Sequence, residues 1–153
     1  CLIGSTGHAI DDIVFDAIMK YQHSGKSCQF VTKGTHPLTE HFGAFKAQVP
    51  IAGQPATELN MNLLKTLAEY ENVYLAGQAK SHCVATTLKQ ALYLAPNLAS
   101  KFVILTDAMS DVVVPGPNSP DFGAMAQPIY DLAKSKGVRF ETTQTAILSG
   151  VAV

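Results

Sequence analysis

The sequence predicts an α/β fold in which helices cover both faces of a doubly wound parallel sheet, three layers in all. Three observations carry this. Apolar runs of strand length alternate four times with segments whose apolar residues recur at helical spacing. The run 102–105 is continuously apolar, the pattern of a strand buried on both faces. Helix-length crossovers separate the strands, and parallel neighbours require such crossovers.

The first element is a helix, because Ile10, Val14, Ile18 and Tyr21 share one helical face and the pattern stops before Gly25. Asp11, Asp12 and Asp16 read as its solvated side. Residues 28–33 read as a strand ending in Lys33. Residues 34–56 hold three glycines and three prolines and read as one long loop, a length that in a compact domain points to function. Thr57 is placed as the cap of a second helix with a stripe of Leu59, Leu63, Leu67 and Tyr70. Residues 73–76 form the next strand, broken by Gly77. A third helix follows, with Val84, Leu88, Ala91, Leu92 and Ala95 on one face, and Pro96 ends it. After strand 102–105, Thr106 and Asp107 end the run, and residues 109–118 form a second loop. Ser119 and Pro120 are placed as cap and first residue of a fourth helix through Ala133, with Pro128 bending it and Gly137 closing it. Residues 138–143 are the last strand.

Composition narrows function. The chain has 153 residues, 47% hydrophobic and 15% charged, which fits one globular domain. A net charge of -1 with no run of Lys or Arg offers no surface for nucleic acid. No apolar stretch approaches the roughly 20 residues of a membrane span. Cys1, Cys28 and Cys83 are odd in number and lack a CxxC, which suits reduced thiols in a cytoplasmic compartment.

The candidate centre lies at the turn between strand 73–76 and the helix after it. Cys83 sits at that junction, with Ser81 expected as N-cap. Unpaired N–H groups and the positive helix end there favour a thiolate and could hold an oxyanion. Equally, Cys83 could be a small buried hydrophobe, as free cysteines often are. Lys33 ends its strand on the side where ligands collect in such folds. It is either a solvated strand end or a cation beside Cys83 that moves protons. His36 and His41, five apart, could hint at a metal but lack a third ligand. His82 adjoins Cys83 and could tune it. Asp107 is expected to orient backbone at its strand end.

These residues resemble a family. VYLAGQAKSHCVATTLKQA, then VILTDA and VRFETT, is similar to the isochorismatase-like cysteine hydrolases, nearest to their nicotinamidase branch. VTKGTHPLTEHFGAF resembles that branch's strand-end Lys-Gly and following loop. CLIGSTGHAI resembles its segment His-Cys-x-x-Gly-Thr-x-Gly-Ala, entered at the Cys. The resemblance covers essentially the whole chain and implies the isochorismatase-like hydrolase fold, represented by its C-terminal four strands. It implies Cys83 as nucleophile, Lys33 as triad lysine, and the N–H groups of Ala79 and Cys83 as oxyanion hole. It further implies a cis peptide between Gln78 and Ala79, and Phe42 as a pocket wall; His82 is taken as a second substrate-binding residue.

The family's triad Asp and its metal-binding Asp and His would lie upstream of Cys1. Residues 1–153 are therefore expected to be a single hydrolase domain incomplete at its N-terminus, inactive and prone to aggregate if the polypeptide starts at Cys1. No metal site is expected in this chain; a divalent ion such as zinc would need ligands from the missing part. The implied activity is amide hydrolysis through a thioester on Cys83, nicotinamide to nicotinic acid plus ammonia, a step of NAD salvage. The alternatives are a related small-amide or carbamoyl-amide hydrolase, or a non-catalytic binding or assembly module. The expected partners are a small amide and further copies of the same chain, with no nucleic acid or membrane.

Overall fold

The computed structural model describes Leu2 and residues 4–148. The readings of Cys1 as a free thiol and as the start of the family segment lie outside the described residues. Two compact units divide the chain, Cys1–Thr32 and Lys33–Val153.

The first unit carries α1 (Asp12–His23). Asp11 caps it by accepting a hydrogen bond of 3.0 Å from the Ile13 N–H. The helix stops where the periodicity stops, at Ser24, followed by Gly25 at φ 84°.

The second unit is α/β, and its sheet of three parallel strands has helices packed on it. Its elements run α2 (Met61–Ala68), β1 (Val73–Gln78), α3 (Ala85–Leu94), α4 (Pro96–Ala99), β2 (Phe102–Ser110), α5 (Phe122–Ser135), β3 (Arg139–Glu141) and α6 (Thr143–Leu148). The order is β1-β2-β3. Val73 pairs with Phe102, Leu75 with Ile104, and Ile104 with Phe140. Paired residues of a parallel sheet share a face, so these five line one side. Leu88, Ala91, Tyr130 and Ala133 of α3 and α5 belong to the same apolar cluster. On the opposite face Tyr74 and Leu105 line a cavity of about 250 Å³ with Ala146 and Ile147 of α6. Val103 and Ile104 are fully buried, as the unbroken apolar run requires.

The sheet departs from expectation in strand number. Residues 28–33 have no ladder partner among the described residues and form no strand. Phe30 and Val31 are exposed. A pleated, β-branched stretch becomes a strand only when a neighbour takes its N–H and C=O groups.

Several boundaries also move, for side-chain reasons. Thr57 caps no helix. Buried, it accepts from the Ile51 N–H at 2.9 Å and donates to the Gln54 carbonyl at 2.9 Å, closing the loop on itself. Asn60 caps α2 instead, through the Leu63 N–H at 2.9 Å. Asp121, not Ser119, caps α5, accepting from the Ala124 N–H at 2.9 Å. Pro128 lies within that helix and Gly137 follows it at φ 84°.

β1 runs through Gly77 rather than stopping there. Gly77 adopts φ 117°, a region costly for other residues, and the β1–β2 register shifts at this point. β2 likewise continues past Asp107 to Ser110. Asp107 orients backbone, as expected of it: its carboxylate accepts from the Thr143 hydroxyl at 2.7 Å and N–H at 2.8 Å. These bonds, the hydroxyl first, hold its acid below the usual carboxylate range. A lowered carboxylate favours the fold above the unfolded value and loses that contribution as pH falls through the folded one. The pairing lies at the start of α6, and the last strand is shorter than the expected 138–143, spanning Arg139–Glu141.

Candidate active site

The turn after β1 is the structural centre of the site. The Gln78–Ala79 peptide is cis. Residues Lys80–Val84 then make one π-helical turn, closed by a 3.1 Å bond from the Val84 N–H to the Ala79 carbonyl. Such wide turns recur at functional sites because they displace one residue from the regular helical path. Here Cys83 lies in the turn, just ahead of α3, and is half-buried.

Three contacts hold the turn. Tyr130 on α5 donates its hydroxyl to the Lys80 carbonyl at 2.7 Å. Burial first, then the charge of Asp111, pushes the Tyr130 phenol well up, so it remains a donor. Lys80 Nζ pairs with Asp111 Oδ2 at 3.3 Å, just beyond the end of β2. Ser81 is not an N-cap: its hydroxyl accepts from the Val112 N–H at 3.2 Å and lies 3.0 Å from His82 Nδ1.

Lys33 reaches this turn. Its Nζ donates to the His41 carbonyl at 2.8 Å and stands 3.6 Å from Cys83 Sγ. This places an ammonium within reach of the sulfur, with Lys33 open to solvent. Burial, and to a lesser degree the Lys33 charge, pushes the His41 imidazole below its ordinary value. Its Nε2 is buried without a hydrogen-bond partner among the described residues. A neutral ring fits both facts.

His82 packs edge-on between two phenyl rings, Phe42 at 5.8 Å and Phe122 at 4.8 Å between centroids. Phe122 and His82 also line a cavity of about 290 Å³ bounded by Lys89 of α3 and Ile129 of α5. The structure thus joins Cys83 to Lys33 and Phe42 to His82. Phe122 reads from the sequence only as part of the fourth helix, and its contact with His82 brings it to the site.

The described residues do not fit a divalent metal. Among them no three His, Cys, Asp or Glu side chains come together. His36 uses Nδ1 to accept from the Leu38 N–H at 3.3 Å. No helix among the described residues is long and apolar enough to cross a membrane.

No protein-family model matches the chain. No curated protein matches it either. Among solved structures, the yeast nicotinamidase Pnc1p bound to the inhibitor nicotinaldehyde aligns at a TM-score of 0.62 and 17% identity, over 94% of this chain and 56% of its own. A second structure of yeast nicotinamidase Pnc1p aligns at 0.61 and 18% identity, over 92% of this chain and 55% of its own. At such identities the likeness shows a shared fold, the α/β architecture described above. The chain spans just over half the length of these two chains.

Proposed function

We propose that the protein is a cysteine-dependent hydrolase of small amides, of the nicotinamidase type. The observation that carries this is the 3.6 Å approach of Lys33 Nζ to Cys83 Sγ, across 50 residues of sequence. A lone thiol has many explanations. A thiol beside an ammonium, at a turn following the C-terminal end of a parallel strand, matches the needs of nucleophilic catalysis. The fold shared with two nicotinamidase structures supports the same reading.

The chemistry balances with these two groups. The Cys83 thiolate attacks the amide carbon, and the Lys33 ammonium gives its proton to the departing nitrogen, so ammonia leaves and a thioester remains. Neutral Lys33 then takes a proton from water as the hydroxide adds to the thioester. The C–S bond breaks, the acid leaves, and thiolate and ammonium are restored. Developing negative charge on the carbonyl oxygen falls to the N–H groups of Ala79 and Cys83. Phe42 and His82 supply flat apolar surface against which a pyridine ring can lie.

The test is ammonia release by the complete protein from nicotinamide and from a carbamoyl amide. The expected result is turnover of nicotinamide at a kcat/KM at least about tenfold above the carbamoyl compound, a pocket-scale discrimination. Faster turnover of the carbamoyl amide would move the substrate assignment. No ammonia from either would remove the amidase reading.

A further inference from the structure

We infer that Thr87 is a positioning residue that fixes the distance between Cys83 and Lys33; the inference rests on reading these two as the reacting pair. Thr87 is buried on α3, one helical turn after Cys83. Its hydroxyl donates to the Cys83 carbonyl at 2.8 Å. A threonine bonded to the carbonyl four residues back is common in helices and by itself signifies little. The second bond is different. The same oxygen accepts from the Ala44 N–H at 3.0 Å, from the long loop 43 residues earlier.

That loop also carries the support for Lys33. Lys33 Nζ donates to the His41 carbonyl at 2.8 Å, three residues before Ala44. A closed circuit results: Cys83 to Thr87, Thr87 to Ala44, along the backbone to His41, to Lys33, and back to Cys83 Sγ at 3.6 Å. One buried hydroxyl therefore ties the backbone of the thiol to the backbone that seats the ammonium. The approach of loop to helix is close. A Cβ at Gly43 would stand 2.2 Å from Gln90 Oε1, so a larger residue there would force that amide to shift.

The test compares Thr87→Val with Thr87→Ser in the full chain. Valine has nearly the shape of threonine but can neither accept from Ala44 nor donate to Cys83. Serine keeps both capacities. Nicotinamide turnover and the rate of Cys83 alkylation by iodoacetamide, followed by peptide mass spectrometry, are read together. The expected result for valine is a kcat roughly 10 to 100-fold lower with KM within about threefold, since misplacement of reacting groups costs rate more than binding. Alkylation of Cys83 should slow by roughly tenfold as the ammonium moves away. Serine should lie within about threefold of wild type in both, because the hydrogen bonds survive. If valine prevents folding, Thr87→Ala makes the same comparison. A folded valine variant alkylated at the wild-type rate overturns the inference, as does a serine variant that loses as much as valine. If wild type turns over no amide yet alkylation falls in valine and returns in serine, the positioning role stands and the amidase reading falls.

Discussion

Cys83→Ala is expected to abolish the proposed ammonia release, with a loss of at least about 10⁴-fold, the scale seen when a covalent nucleophile is removed. The melting temperature changes little. The Cys83 groups that hold the turn belong to the backbone: its carbonyl takes the Thr87 hydroxyl, and that bond survives the substitution. The side chain is half-buried, so alanine removes only a sulfur at the edge of the core. Activity within tenfold of wild type would show that the carbonyl carbon is attacked by something else.

Gln90→Ala has the largest expected effect on stability. Gln90 is a buried amide in the middle of α3. Its Oε1 accepts from the N–H groups of Phe45 and Lys46 at 3.1 and 3.3 Å, and its Nε2 donates to the Lys46 carbonyl at 2.8 Å. Truncation strands three backbone groups, two of them donors, beside the buried Phe45 ring. At about 1–3 kcal/mol for each buried group left unpaired, partly relieved by entering water, the loss is about 3 kcal/mol. For a domain of this size that lowers the melting temperature by roughly 6–12 °C in a thermal scan. A shift of a degree or less would mean that residues 43–47 are held by something other than this side chain.

Gln90 and Thr87 also mark where the sequence stopped being legible. The stripe Val84, Leu88, Ala91 located α3 because periodicity follows from burial, and burial is recorded in every residue of the face. The run 102–105 was readable for the same reason. A buried Gln or Thr on that helix is only a polar letter until its partner is known, and both partners lie more than 40 residues upstream. Ser81 and Thr57 failed as caps on the same ground: a hydroxyl bonds whichever N–H the tertiary structure presents, Val112 for one and Ile51 for the other. Asn60 and Asp121 took the capping positions because their carboxamide and carboxylate oxygens reach the N–H three residues on.

The strand reading of 28–33 failed differently. β propensity records suitability for a sheet, and the partner that would complete it leaves no local trace. Lys33 at its end was singled out from its position on that strand. Its approach to Cys83 nevertheless comes about through the loop, with the His41 carbonyl as the seat.

That pair is the centre of the account, and one measurement tests it directly. Cys83 alkylation by iodoacetamide is followed across neutral and alkaline pH in wild type and Lys33→Met. Lys33 is exposed, so its loss should alter stability by no more than about 0.5 kcal/mol. If its ammonium assists the sulfur from 3.6 Å away, the variant reacts roughly tenfold more slowly than wild type. Ammonia release should fall by about 100-fold or more as the proton carrier is lost. A Lys33→Met protein whose Cys83 is alkylated at the wild-type rate at every pH would contradict the pairing.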